Sequence, residues 1–264
     1  MRAFACASAI SLAALAAPAA SAPPRRVASL NLCTDELLLL LGDPRQIVSV
    51  SHLGQNPAET ALWRAGRVYR RNDGSLASLA GLRPDLVLTM GGGVRDRTGV
   101  AARLGMKMLD LPYPQRLGDV EASVAAVAAA LGRVERGRVL IESIARLKRT
   151  APAMSADTIW LGGGGRSVAA TGLAADWMRL AGLRQRPLRG DRVSLEQLLV
   201  HPPAVLLRSD YRQGQYSSEQ RWLSHPLAAR PKAGRTLQTD GRPWTCMGPL
   251  MVGEIARLRQ AAAP

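Results

Sequence analysis

One design is written twice in this chain, and the repetition limits what it can fold into. Ser75, Leu76, Leu79 and Pro84 precede the apolar run Leu86, Val87 and Leu88. Ser194, Leu195, Leu198 and Pro203 precede Val205, Leu206 and Leu207 at one constant offset. Each copy predicts a short helix with serine as N-cap, a proline that ends it, and a buried strand. Upstream, 26–32 reads as a strand followed by a leucine-rich helix at 34–41 closed by Gly42. In the second half, 158–161 reads as a strand and 171–180 as a helix before Gly182. Further strands are expected at 46–51, 106–111 and 235–238, and a last helix at 249–259. Strands alternating with helices in each half argue for one parallel sheet per half.

Between the halves, Val120, Val124, Val127 and Leu131 form the stripe of a helix expected to start with Asp119 as N-cap and to pack on the first sheet. After Gly132 a second amphipathic helix, 134–149, runs toward Pro152. The expected fold is α/β: two parallel-sheet lobes, 23–132 and 153–264, joined by a single long linker helix within 133–152, with a ligand cleft between the lobes. Fully helical, 134–149 would be about 24 Å long, a strut that limits closure to a small rocking motion.

Arg2, the small apolar run to Ala17 and the segment Pro18–Ala22 have the layout of an export signal, 1–22, with Ala17-Pro18-Ala19 or Ala20-Ser21-Ala22 as cleavage motif. No later apolar stretch reaches the ~18 residues of a spanning helix. The expectation is a periplasmic protein without stable membrane insertion, and a monomer. Formal charge is +15, with lysine only at 107, 148 and 232. The arginines are scattered and no aromatic-rich RNA-binding motif is present, so a nucleic-acid partner is not expected; the excess mildly favours an anionic ligand.

Open α/β sheets bind ligands beyond the carboxyl ends of their strands. That rule selects Asn31, Leu32, Cys33, His52, Leu53, Met90, Gly91, Gly92 and Tyr113 in the first half. In the second it selects Gly163, Gly164, Arg166, Arg208, Asp210, Tyr211, Asp240, Trp244 and Cys246. The glycine run 162–165 lacks GxGxxG spacing and a following Lys-Ser/Thr, so it reads as a cleft loop and not a phosphate cradle. His52 with Cys33 makes only two metal ligands, too few for a protein-held ion. Neither GxSxG nor HExxH occurs; no catalytic residue and no cofactor is expected, and Cys33 with His52 is the nearest approach to a nucleophile–base pair. Cys33 and Cys246 fall one in each lobe. Free, partly buried thiols are expected, because a permanent disulfide would tie the lobes across the opening a ligand uses; a redox-sensitive closure and a disulfide in an oxidising compartment are the other readings.

The start Val27-Ala28-Ser29-Leu30-Asn31 with Thr34-Asp35-Glu36-Leu37-Leu38, the Leu82-Arg83-Pro84-Asp85-Leu86-Val87 element, the linker and Trp244-Thr245-Cys246-Met247-Gly248-Pro249 together resemble a known family. It is that of the periplasmic solute-binding proteins of ABC importers for iron chelates, haem and vitamin B12, and the likeness covers nearly the whole mature chain. It implies ligand held between two lobes, little hinge motion and no covalent chemistry. It also implies docking on an inner-membrane ABC permease through a surface acidic residue on each lobe. Glu196 matches the second-lobe position, whereas Ala77 stands at the first. Vitamin B12-binding members carry aromatics where Leu53, Arg71 and Met90 stand here. That departure favours an anionic metal chelate of the ferric siderophore type over a corrinoid, with Tyr69, Tyr113, Tyr211 and Trp244 as the remaining aromatics. The other readings are a haem or metal carrier coordinating directly through His52, Tyr69 or Cys33, and a secreted small-molecule enzyme using Cys33 and His52.

Overall fold

The computed structural model describes residues 22–91, 95–211, 217–229 and 234–262. The export signal expected at 1–22 lies, but for its last residue, outside them, as does Gly92. The first half runs β1 (Val27–Ser29), α1 (Leu32–Leu41), β2 (Ile47–Ser51), α2 (Trp63–Gly66), β3 (Arg70–Asn72), β4 (Leu86–Met90), α3 (Arg95–Arg103), β5 (Lys107–Leu111) and α4 (Leu117–Ala130). The bridge is α5 (Val134–Arg149). The second half runs β6 (Ala156–Leu161), α6 (Leu173–Leu180), β7 (Leu183–Gln185), α7 (Leu195–Val200), β8 (Val205–Ser209), α8 (Ser218–Leu223), α9 (Pro226–Ala229), β9 (Arg235–Thr239), α10 (Pro243–Cys246) and α11 (Met251–Ala262). Among the described residues no helix is long and apolar enough to cross a membrane.

Two wholly parallel sheets result, β3-β2-β1-β4-β5 and β7-β6-β8-β9. In each, the strand opening the half pairs with the strand that follows the repeated Ser-Leu…Pro element: β1 with β4, and β6 with β8. The strand order reverses between those two, so a crevice opens at their carboxyl ends in both lobes. The second copy of the element forms as its sequence predicts. Ser194 caps α7, its hydroxyl accepting from Gln197 N–H at 3.1 Å while Gln197 Oε1 accepts from Ser194 N–H at 2.9 Å. The first copy is a 3-10 turn, Ala77–Leu82, with Leu76 and not Ser75 at the cap.

Three expectations about where elements begin, end and pack need correction. The first strand stops at Ser29 because Asn31 takes the N-cap of α1, accepting from Thr34 N–H at 3.1 Å. The N-cap of helix α4 is Arg116, three residues before Asp119, and Asp119 sits at the third helical position, accepting from Arg116 N–H at 3.2 Å. The valine stripe serves both lobes: Val124, Val127 and Leu131 enter the core of the first sheet with Leu37, Leu38 and Leu41, while Val120 packs with Trp177 and Ile255 in the core of the second. Helix α5 divides likewise, Leu140 and Ile141 toward the first core and Ile144 and Leu147 into the second.

Both ends of α5 are fastened. At its start Arg133 pairs with Asp43 at the end of α1. At its end the Arg259 guanidinium donates to Leu147 O at 2.6 Å, to Thr150 Oγ1 at 2.8 Å and to Leu180 O at 2.6 Å, joining α5, α6 and α11. In between, Lys148 reaches Glu121 of α4 at 2.6 Å. A Cβ at Gly137 would fall 2.5 Å from that of Ala128, so glycine there lets α4 and α5 pack backbone to side chain.

Candidate functional site

The carboxyl ends of the two sheets meet along a seam, and one bond crosses it covalently. Cys33, in the first turn of α1, and Cys246, the last residue of α10, form a disulfide with Cα atoms 5.3 Å apart. This overturns the expectation of free thiols. The objection to a crosslink was that it would block the cleft; instead it lies on the floor of a groove, with the opening beside it. The bond closes a ring spanning 213 positions of sequence, a constraint worth on the order of 5 kcal/mol in the chain-entropy picture.

The groove encloses about 460 Å³. Tyr113, Pro114 and Gln115, after β5, form one wall. Val168, Ala169, Thr171 and Gly172 with the start of α6 form the other, and Thr245, Cys246, Met247 and Cys33 lie between. None of these side chains is charged. Tyr113 is 61% exposed at the mouth and lies across Gly91, whose φ of 108° and lack of a side chain admit the ring; a Cβ there would meet it at 2.5 Å.

Behind the disulfide is a cavity of about 20 Å³ lined by Cys33, Cys246, Met90 and Glu36 among others. Glu36 is 1% exposed. Its Oε1 accepts from Thr60 Oγ1 at 2.8 Å, and its Oε2 has no hydrogen-bond partner among the described residues. Burial pushes its carboxyl up to about 8, against the Thr60 hydrogen bond and with help from the charges of Asp35 and Asp240. Next to it Asp35, fully buried, accepts from the backbone N–H of Ser51 at 3.0 Å and from its hydroxyl; burial raises it to about 6.

On the β2 side the lobes are closed by polar contacts. Tyr211 Oη donates to Glu59 Oε2 at 2.7 Å, and Arg242 Nη1 donates to Pro57 O at 3.2 Å. Arg242 is held by Asp240 at 2.7 Å, and Asp210 accepts from Gly241 N–H at 2.8 Å. Burial raises Asp240, but the hydrogen bonds and charge of Arg242 outweigh it and hold the carboxyl below its usual range.

The residues selected from strand ends therefore separate. Cys33, Tyr113 and Cys246 line the groove, Met90 and Gly91 support it, and Asp210, Tyr211 and Asp240 form the closed seam. Asn31 is spent inside the first lobe, its Nδ2 donating to Met90 O at 3.3 Å across the crevice between β1 and β4. Leu32 is buried, and Trp244 is 5% exposed, with Nε1 donating to Thr239 Oγ1 at 2.7 Å and its ring 6.0 Å from that of Trp160; both belong to the interior. Gly163 and Gly164 pack against Glu219 of α8. Arg166 faces Asp191 at 3.4 Å and Glu219 at 3.6 Å. Arg208 turns to α8, donating to Leu223 O at 3.2 Å, and burial lowers its pKa. Arg71 is exposed in the middle of edge strand β3. His52 and Leu53 are half-buried at the start of a 3-10 turn and do not line the groove. Tyr69 precedes β3, at the amino end of the strand and near Asp43, away from the seam. Glu196 is exposed in the first turn of α7.

Sequence reasoning missed the segment 168–172, Thr245 and the buried pair Asp35 and Glu36. The first two continue loops already selected and differ from them only in lying nearer the seam. Two adjacent acids directly before the leucine run of α1 were a usable signal, since solvent-facing carboxylates there would interrupt the apolar face.

The sequence profile of the family described as periplasmic binding protein matches residues 27–238. Among curated proteins none matches the chain in sequence. Among solved structures the chain is similar to the periplasmic haem-binding protein RhuT from Roseiflexus sp. RS-1 in apo form (TM-score 0.68, 21% identity, 90% of this chain and 97% of that one). It is similar to an ABC-type Fe3+-hydroxamate transport system protein from Saccharomonospora viridis (TM-score 0.64, 21% identity, 91% and 94%). It is similar also to the periplasmic vitamin B12-binding protein BtuF of Vibrio cholerae (TM-score 0.62, 17% identity, 90% and 96%). At these identities the likeness is one of fold.

Proposed function

We propose that this protein, which belongs to the periplasmic binding protein family, captures a metal chelate of low net charge between its lobes and delivers it to an inner-membrane ABC importer. The observation carrying the ligand class is the interlobe groove, whose lining side chains among the described residues are all uncharged, with Tyr113 as a flat, exposed platform at its mouth. An anionic chelate would call for arginine in that lining, and Arg71, which favoured one, stands on edge strand β3, while the strand-end residues Arg166 and Arg208 turn to Asp191, Glu219 and α8. A ferric hydroxamate, in which three ligand charges offset those of the metal, fits such a lining better than a haem with two free carboxylates. Recognition would rest on burial of apolar and polar uncharged surface, without covalent chemistry. Delivery would use exposed Glu196 on the second lobe.

The test is titration of the mature chain with a neutral ferric trihydroxamate, haem and cobalamin, followed by tryptophan fluorescence and visible absorption. The neutral chelate should bind saturably, and Tyr113→Ala should weaken it tenfold or more, since an aromatic platform is worth one to a few kcal/mol. Tight binding of haem alone would overturn the ligand class, and turnover of a compound with no stable complex would overturn the binding role.

A further inference from the structure

Sulfur and acid meet at the seam in an arrangement that neither capture nor delivery of a ligand calls for. Cys33 is half-buried on the groove floor, whereas Cys246 is only 9% exposed. Glu36 stands three residues after Cys33, on the same side of α1. All three border the cavity of about 20 Å³, and one Glu36 carboxyl oxygen is buried without a hydrogen-bond partner among the described residues. A bond that served only as a crosslink would gain nothing from a buried carboxyl beside it, and burying that group is costly.

We propose that Cys33–Cys246 is a thiol–disulfide exchange site for small dithiols entering through the groove, with Glu36 as the proton donor to the departing sulfur. The thiolate of the incoming dithiol attacks Sγ of Cys33, the less buried of the two cysteines that line the groove. An S–S bond forms between the dithiol and Cys33 while the Cys33–Cys246 bond breaks, and its electron pair leaves on Cys246. The Glu36 carboxyl, protonated at neutral pH, gives its proton to that sulfur and is reprotonated from solvent. The second thiolate of the dithiol then attacks its own sulfur in the mixed disulfide and releases Cys33 as a thiolate in the first turn of α1, where unpaired N–H groups favour it. The sum is one protein disulfide and one dithiol converted into two protein thiols and one small disulfide. Run backward, the Glu36 carboxylate takes the proton from Cys246. The charged groups around Glu36 are Asp35 on its own helix and Asp240 beyond β9, the latter paired with Arg242. Both acids favour the protonated carboxyl, and Thr60 from the segment before α2 is its hydrogen-bond donor.

The test measures reduction of the folded, intact chain by dithiothreitol from pH 6 to 9, with thiols trapped by alkylation and weighed by mass spectrometry. Global unfolding is followed in parallel. The rate should be first order in dithiol and faster than unfolding, with the first mixed disulfide on Cys33. Glu36→Gln should slow it at least tenfold at pH 7 and remove an inflection near pH 8. A rate independent of dithiol and equal to the unfolding rate would reduce the bond to a crosslink. Trapping on Cys246 would reverse the assigned direction, and an unchanged rate in Glu36→Gln would remove the acid from the reaction. Should that variant not fold, Thr60→Val serves in its place. Losing the hydroxyl that supports the carboxylate should move the inflection to higher pH, and an inflection that stays put would count against Glu36.

Discussion

Glu36 makes the stability of this molecule depend on pH in a direction opposite to that of most carboxylates. Burial lifts its folded pKa to about 8 from an ordinary 4.5, and that of Asp35 to about 6 from 3.8. Between those values the folded chain holds a proton that the unfolded chain has released, so stability falls as pH rises. The contribution is complete below the unfolded pKa and is lost as pH climbs through the folded one. For Glu36 alone the loss from pH 5 to 8 reaches up to about 4 kcal/mol, at 1.36 kcal/mol per unit. Urea denaturation at pH 5 and 8 should show a lower midpoint at pH 8 for the native chain, and Glu36→Gln should remove most of that difference. An equal slope in both proteins would mean that Glu36 reaches water. At this scale the sequence was partly legible. Two acids just ahead of the leucine run of α1 could be seen, but which carboxylates lose their solvent depends on β2 and the segment before α2, brought against them by the fold.

Helix α5 is the element most fully written in its own residues. Its bounds, Val134–Arg149, agree with the periodic reading, because a polar and an apolar face alternate at helical spacing over four turns. What periodicity could not tell was that the apolar face changes partner between Ile141 and Ile144, since a stripe says only that something covers it. Strands β3 and β7 escaped for a simpler reason. Each is three residues long and carries arginine, so only pairing with β2 and β6 makes it a strand. The contact of α4 with α5 supplies the prediction here. Gly137→Leu would thrust a side chain into Ala128 and should cost about 1–3 kcal/mol by overpacking, read as a lowered unfolding midpoint. Arg136→Ala, one residue earlier on the exposed side, should change it little.

At the scale of the whole molecule the duplicated design accounts for two sheets of like topology and for where their carboxyl ends face. The site between them was less legible. Strand-end reasoning finds the right edge of each sheet but cannot tell groove from closed seam, and so it set Arg208 and Trp244 beside Tyr113. The two copies differ at the surface position that becomes Ala77 in one and Glu196 in the other, so any acidic docking contact through this element is carried by the second lobe. Glu196→Lys should leave ligand affinity within twofold and lower importer-dependent uptake at least fivefold in cells. Uptake at the native level would assign docking to another residue.

The disulfide also determines what a single cut in the chain can do. Since the ring it closes runs from Cys33 to Cys246, a protease that severs the backbone anywhere within it produces two pieces that remain one covalent body. The turn after β7 or the turn before α5 could be nicked and both sheets would stay side by side, with the groove between them intact. Damage that would split an ordinary two-lobed chain is thereby confined to a local break.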